Sequence, residues 1–322
     1  VYVIAGGYMS TAINDFIQGV IMIGGIIAVI IAVLNSQGGF TEAIKTLGTI
    51  RDSASGIEAG DLSSFFGPDP INLLGVVLLT SLGTWGLPQM VQKFYAIKNE
   101  GAIKKGTVIS TLFALIVAGG CYFLGGFGRL FKPDLAADGS IIFDSIIPNM
   151  LSNLSPVLIG VVIVLVLSAS MSTLSSLVLA SSSTLTLDFI KGKISKNMGE
   201  KKQVFIMRVL IVVFIAISAI IAIMQHKSNV TFIAQLMGVS WGALAGAFLA
   251  PFMYGLYWKK TTKAAVWVNI IFSTVVMLAN IVFKARFPAI LQSPINAGAF
   301  CMLAGLIIVP VVSLITKKPE KQ

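Results

Sequence analysis

The sequence is poor in charged residues. Only 11% of its 322 residues are Asp, Glu, Lys or Arg, whereas an average soluble protein has about 25%. It has one histidine and two cysteines, Cys121 and Cys301, and both cysteines lie in apolar runs. These shortages exclude a soluble globular domain, a disordered chain, a disulfide scaffold and a His/Cys metal centre. Apolar residues make up 56% of the chain instead, which is typical of a polytopic membrane protein.

Eight apolar segments are each long enough to cross a hydrocarbon core of about 30 Å as a helix. None shows the alternation of a membrane β-barrel strand, so we predict an all-α fold. We predict a single transmembrane domain over 1–322 with spans at 11–34, 71–87, 107–125, 157–187, 204–224, 232–257, 264–283 and 295–316. The fourth segment is too long for a perpendicular crossing and is expected to tilt or project beyond the bilayer.

Two connections, 35–70 and 129–156, are long, and the stretch 141–147 is either a short helix or a plain loop. The formal charge of +10 lies mainly in the other connections. Sixteen of the 23 Lys and Arg residues follow the second, fourth, sixth and eighth spans. The positive-inside rule places those connections and both ends of the chain in the cytoplasm. We therefore expect a multi-pass protein of the plasma membrane, in bacteria the inner membrane, with lipid and not nucleic acid as its large partner.

One acidic residue lies inside an apolar span. Asp15 is about one turn into the cytoplasmic end of the first span. An ionised side chain at mid-bilayer costs about 2.5–3.5 kcal/mol on insertion scales, so an acid retained there indicates function. The alternative is an interfacial carboxylate that reaches headgroup water.

The fourth span is rich in hydroxyl groups, with ten Ser and Thr between Ser168 and Thr184. Ala169, Ser172, Thr173 and Ser176 have the spacing of one helix face. Such a face offers oxygen ligands to a hard cation, of which Na⁺ is the one normally available. The competing interpretation is close helix packing, for which small residues are also suited.

The second span is interrupted near its end by Gly86 and Pro88, and Trp85 and Gln89 flank the interruption. Broken helices at membrane depth are tolerated where they line a protein-enclosed cavity. An interfacial Trp and an ordinary Pro helix end would explain the same residues.

Sequence motifs of enzymes are missing. There is no phosphate-binding loop, no Ser/His/Asp set and no pair of intramembrane acids. We therefore expect a protein that is not an enzyme and that uses no organic cofactor.

Four stretches together resemble the sodium:solute symporter family, which contains the bacterial proline, pantothenate, sialic acid and sodium/galactose transporters. The stretches are Gly6–Gly7 with Asn14–Gln18, Trp85–Gln89 leading to Lys93–Lys98, Ala169–Ser176 closing with Asp188, and Gly255–Thr262. The resemblance implies a LeuT-type inverted-repeat fold. In that frame the first span is the last helix of repeat one, spans two to six are repeat two, and the last two spans are appended helices.

The resemblance also assigns sodium ligands. The shared sodium site of the family corresponds to the backbone oxygens of Ala169 and Ser172 and the hydroxyl of Thr173. A second sodium site, present in some members, corresponds to Asp15, Ser172, Ser175 and Ser176.

For the solute, the resemblance points to residues that line the cavity or its gate. They are Ser81, Thr84, Trp85, Gln89, Ser240 and Trp241. The implied function is sodium-coupled symport of a small polar organic solute, such as an amino acid or pantothenate, by alternating access, with Na⁺ as the coupling ion.

The chain departs from the family in length, because members have about thirteen spans or more. We expect an N-terminally truncated portion that lacks the broken helix of repeat one and does not transport by itself. A proton-coupled carrier or channel, or a non-transporting membrane sensor, are the alternative functions. Substrate identity and oligomeric state are left open.

Overall fold

The structure is a computed structural model that describes residues 2–53, 56–94, 97, 99–132, 134–135, 141–152, 154–228 and 233–316. Helices dominate the described residues. They are α1 (Tyr2–Ser36), α2 (Phe40–Thr49), α3 (Pro70–Ser81), α4 (Pro88–Phe94), α5 (Glu100–Gly126), α6 (Ile146–Ser152), α7 (Pro156–Ser183), α8 (Glu200–Ser228), α9 (Ile233–Tyr257), α10 (Lys263–Val282) and α11 (Pro294–Ile315). Two strands of two residues, β1 (Asp134–Leu135) and β2 (Ile141–Ile142), pair antiparallel.

Seven helices among the described residues are long and apolar enough to cross a membrane. They lie in α1, α5, α7 to α11 and coincide with seven of the eight predicted spans. The segment predicted at 71–87 forms the shorter helix α3, a 3₁₀ turn at Gly83–Gly86 and then α4. The predicted interruption of this span is confirmed. That the chain forms a single transmembrane domain stays a prediction.

Local sequence explains where several helices begin. The Asp69 carboxylate accepts a hydrogen bond from the Asn72 N–H at 3.0 Å, and Pro70 occupies the first turn of α3. Asn99 caps α5 through the Ala102 N–H at 2.9 Å. A side-chain oxygen at this position satisfies a backbone donor that has no partner inside the helix, and Pro fits a first turn where no such donor is needed.

The described helices fall into two compact units. Unit 1 comprises Val1–Ser63 and Ile97–Val230. Its core is a cluster in which Ile26, Val29 and Val33 of α1 pack with Leu124 of α5 and Val162 of α7. An ideal Cβ on Gly120 of α5 would lie 3.0 Å from Ile26, so α1 and α5 approach each other closely at this glycine.

The connections of unit 1 contain short helices. Helix α2 lies in the connection 35–70 and buries Ala43 and Leu47 against Phe127. The stretch predicted as helix or loop at 141–147 contains β2, a 3₁₀ turn at Phe143–Ser145 and the first residues of α6. The fourth span continues beyond α7 as a π-helix at Thr184–Ile194, so the predicted excess length is real.

Unit 2 comprises Ser64–Ala96 and Thr231–Gln322. Helices α9 and α11 run parallel along a line of small residues, since Gly238 meets Ile295, Gly242 meets Gly298 and Gly246 meets Cys301. An ideal Cβ on Gly242 would lie 2.7 Å from the Gly298 Cα. Close backbone approach at small residues is the usual way in which helices associate in lipid, where no hydrophobic driving force acts between them.

Candidate ion and solute site

The hydroxyl-rich segment of α7 is helical, and several of its hydroxyl groups bond to carbonyls of the same helix. Ser172 Oγ donates to the Ala169 carbonyl at 3.2 Å, and Ser175 Oγ donates to the Met171 carbonyl at 2.5 Å. Ser182 and Ser183 make equivalent bonds to Leu179 and Ala180. These bonds use the hydroxyl hydrogens and leave oxygen lone pairs, which are the atoms that a cation needs.

The predicted ligands on α7 differ in exposure. Ser175 is buried, Ala169, Ser172 and Ser176 are half-buried, and Thr173 is exposed. Within the described residues, no hydrogen bond involves the hydroxyl of Thr173 or Ser176. Two hydroxyl oxygens of this face are therefore available to a ligand.

A polar patch on α1 surrounds Asp15. Asn14 and Asp15 are half-buried, and Gln18, one turn along from Asn14, is only 5% exposed. The Nδ2 of Asn14 and the Oε1 of Gln18 are buried, and neither has a hydrogen-bond partner among the described residues. Leaving a buried polar atom unsatisfied costs about 1–3 kcal/mol, so the patch is poised for a ligand that the described residues do not supply.

The register of α1 against α7 relates the two sets of residues. An ideal Cβ on Gly25 would lie 2.6 Å from the Leu165 side chain, and Val33 shares a cluster with Val162 and Leu158. Higher numbers on α1 thus meet lower numbers on α7, as in an antiparallel pair.

Ten residues before Gly25 is Asp15, and ten residues after Leu165 is Ser175. Because both helices rise about 1.5 Å per residue, we infer that Asp15 lies at the level of Ser175, to within about a turn. By the same register Gln18 lies at the level of Ser172. This inferred register supports the prediction that Asp15 and the serines of α7 form one site, which stays a prediction.

The interrupted span of unit 2 carries four of the predicted solute residues around its break, and two of them, Ser81 and Thr84, have hydroxyl groups. Ser81 ends α3, and its Oγ donates to the Val77 carbonyl. Thr84 lies in the 3₁₀ turn, where its Oγ1 donates to the Ser81 carbonyl at 3.0 Å. Here too the hydroxyl hydrogens are used locally, and the oxygens are free to accept.

Two other predicted solute residues lie close to the break. Trp241 of α9 packs on the cluster of Leu79, Ala245 and Leu249, and its ring is 3.8 Å from an ideal Cβ on Gly83. Ser240, the preceding residue, is exposed and bonds back to the Met237 carbonyl at 3.3 Å.

Trp85 and Gln89 lie on either side of Pro88. Trp85 is 57% exposed and lines an apolar cavity of about 410 Å³ with Phe248 and Phe252 of α9. Gln89, in the first turn of α4, is half-buried. The six predicted solute residues thus belong to unit 2. Trp85 lines the apolar cavity, whereas Trp241 packs on a buried cluster.

Sequence reasoning missed polar residues that the structure buries. Asn14 and Gln18 were not predicted as ligands, although two amides four residues apart around Asp15 were a usable signal. Asn269 of α10 was missed too. Its Nδ2 donates to the carbonyls of Gly246 and Ala247 at 2.9 Å each.

The Asn269 contact has a local cause. Pro251 stands inside α9 and has no N–H to donate to Ala247, four residues earlier. Asn269 supplies the missing donor from the neighbouring helix. This is a structural role for the Nδ2, although the Oδ1 of Asn269 is buried without a partner among the described residues.

The family model described as "Sodium:solute symporter family" matches residues 1–272. The chain belongs to the sodium:solute symporter family. Curated relatives in this family include the osmoregulated proline transporter of Bacillus subtilis, 25% identical over 99% of this chain and 62% of the relative. The sodium/proline symporters of Haemophilus influenzae and Staphylococcus aureus are 26% and 29% identical, again over 99% of this chain.

A solved structure gives the fold. A Na⁺-coupled sialic acid symporter, in a substrate-bound outward-open state, superposes with a TM-score of 0.72 at 18% identity and covers 100% of this chain. The expected all-α, LeuT-type fold of a multi-pass membrane protein is confirmed. The chain spans 60–62% of the length of these curated relatives and 65% of the solved structure.

Proposed function

We propose that this chain is part of a sodium-coupled secondary symporter that takes up a small polar organic solute by alternating access. The observation that carries the proposal is the antiparallel packing of α1 on α7, from whose register we infer that the polar patch on α1 lies at the level of the hydroxyl face of α7. Asp15 supplies the negative charge, and buried Asn14 and Gln18 atoms lack partners among the described residues. A sodium ion there would satisfy the Gln18 Oε1, an oxygen that is otherwise costly to bury, whereas the Asn14 Nδ2 is a donor and does not ligate a cation.

The proposal divides the oxygens between two ions. The backbone oxygens of Ala169 and Ser172 with the Thr173 hydroxyl would hold one sodium, and Asp15 with the hydroxyls of Ser172, Ser175 and Ser176 would hold the other. Each sodium that enters down a membrane potential of 100 mV releases about 2.3 kcal/mol, in addition to the concentration gradient. Two ions would therefore drive a steeper accumulation of solute than one.

An amino acid is the solute class that we propose first, with proline as the compound to test. The support is that three relatives from different bacteria are named for proline transport. The residues at the break of the second span, Ser81 and Thr84, and the nearby Ser240 and Trp241 would contribute one side of the solute cavity. We also propose that the lysine-rich connections after the second, fourth and sixth predicted spans face the cytoplasm.

The test is sodium-dependent uptake of labelled proline by cells that express the full-length protein. Thr173→Ala and Asp15→Asn should each raise the half-saturating sodium concentration by about tenfold, since each removes a ligand worth about 1.4 kcal/mol or more. Ser170→Ala is the matched control, because Ser170 is an exposed hydroxyl residue of the same helix and lies outside the proposed ligand set. Unchanged sodium dependence in both variants would contradict the sodium sites.

Replacing external Na⁺ by choline at fixed pH separates symport from the alternatives. Uptake should stop, whereas a proton-coupled carrier would continue. The alternative is a proton site at Asp15, and in that case uptake by the wild type would not depend on sodium and Asp15→Asn would abolish its pH dependence.

A further inference from the structure

Two cavities adjoin each other where α9 ends and α10 begins. The first has a volume of about 310 Å³, and its walls include Trp258, Lys259, Lys263 and Trp267. The second is the apolar cavity of about 410 Å³ beside Trp85, Phe248 and Phe252. Pro251 and Val266 line both cavities, so the two cavities adjoin at these residues.

The first cavity carries unneutralised positive charge. Lys259 and Lys263 are exposed, and neither is in an ion pair with a described residue. The sequence between residues 231 and 316 contains no Asp or Glu at all. An anion would therefore be held by two ammonium groups with no competing carboxylate nearby.

The depth of the two cavities matches the layers of a membrane. The first lies at the ends of two apolar helices, where tryptophan and lysine are commonly found at the headgroup level. Phe248 lies nine residues before Tyr257, the last residue of α9, which places it about 13 Å deeper along the helix. The hydrocarbon layer of one leaflet is about 15 Å thick, so the second cavity lies at acyl-chain depth.

We propose that this pair of cavities is a binding site for an anionic phospholipid. The phosphate lies between Lys259 and Lys263, and one acyl chain lies in the apolar cavity against Trp85, Phe248 and Phe252. A headgroup that carries its own cation fits less well, because it would bring a positive charge toward both lysines. The site contains none of the residues proposed to bind sodium, and it shares only Trp85 with the predicted solute residues.

The tryptophans provide the measurement. Three of the four in this chain, Trp85, Trp258 and Trp267, line the two cavities. The full-length protein in detergent is titrated with phosphatidylglycerol that carries brominated acyl chains, and quenching of tryptophan fluorescence is recorded. We expect saturable quenching, most of which is lost when Trp85, Trp258 and Trp267 are replaced by Phe.

The Lys259→Gln/Lys263→Gln double variant should bind the lipid about tenfold more weakly or worse. Lys104→Gln/Lys105→Gln is the matched control, because both lysines are exposed in the first turns of α5 and line neither cavity.

Val91→Trp, which fills the apolar cavity, should weaken binding while the headgroup lysines are intact. Native mass spectrometry of the same samples counts the bound lipids.

Three results would overturn the proposal. Brominated phosphatidylcholine could quench with the same affinity, the two lysine pairs could behave alike, or inorganic phosphate at millimolar concentration could displace the lipid completely. The first two would indicate general contact with lipid, and the third would indicate a site for a free anion. None of them bears on sodium-coupled uptake, so the two proposals fail separately.

Discussion

The two units use small and polar residues inside apolar helices in opposite ways. In unit 2, Gly242 approaches Gly298 so closely that no Cβ would fit, and the Asn269 amide donates to two carbonyls. In unit 1, Thr173 is exposed, and the buried amides of Asn14 and Gln18 have unsatisfied atoms among the described residues. Composition alone does not separate these cases. The Asn269 Oδ1 is also buried without a partner among the described residues, so an unsatisfied atom does not by itself separate the two units. The Asn269 Nδ2, however, already donates to two carbonyls of α9, which indicates packing. The amides of Asn14 and Gln18 make no hydrogen bond with a described residue, which favours a binding site in unit 1.

The largest effect is expected at the closest packing contact. Gly242→Ala would place a Cβ 2.7 Å from the Gly298 Cα and 2.9 Å from Met277, so α9 and α11 must separate. Overpacking of this kind costs about 1–3 kcal/mol. We expect a value near the upper end, measured as a fall in the free energy of unfolding in detergent.

The control for this variant is Gly119→Ala in α5, where an added Cβ meets nothing within 4 Å. Alanine is favoured over glycine inside a helix by about 1 kcal/mol, so the control should be neutral or stabilising. Equal destabilisation of both variants would show that the close approach of α9 and α11 is not what fixes Gly242.

The second effect concerns Asn269 and Pro251. Asn269→Ala should lower the free energy of unfolding by about 1–3 kcal/mol, because the Ala247 carbonyl loses its donor. Pro251→Ala restores a backbone N–H four residues after Ala247. In that background Asn269→Ala should therefore be milder, and a double-mutant cycle measures the difference. Additive effects would contradict the proposed compensation.

The third effect tests whether unsatisfied amides in unit 1 serve a ligand. A ligand that binds only the folded state, at about 100 times its Kd, stabilises that state by about 2.7 kcal/mol. Sodium should stabilise the full-length wild-type protein in this way and should stabilise Gln18→Leu much less. Without sodium, Gln18→Leu should be neutral or more stable, because the buried Oε1 has no partner among the described residues.

The control is Asn35→Leu, an exposed residue near the other end of α1, which should keep the full sodium effect. A Gln18→Leu protein that unfolds easily in sodium-free buffer would instead assign Gln18 to packing, like Asn269.

The membrane spans could be predicted from the sequence because they depend on apolar runs. Features that depend on a contact with a residue far along the chain could not be predicted. The spans are predictable because a helix in lipid must satisfy its own backbone, and the break at Gly86 and Pro88 follows from local chemistry. Helix α2 in the long connection was not predicted, since its burial depends on Phe127, far along the chain. Asn269 was missed for the same reason, because its role depends on Pro251 of another helix.

The smallest effect distinguishes two serines that both bond back to their own helix. Ser175 and Ser182 are both buried in α7, and each donates to a carbonyl of the preceding turn. Replacing either by Ala removes a bond worth about 1 kcal/mol or less in net terms, so both variants should unfold at similar temperatures. Only Ser175 lies at the level inferred for Asp15, and therefore only Ser175→Ala should raise the half-saturating sodium concentration in uptake. If Ser182→Ala raises it equally, the register of α1 against α7 does not define the site.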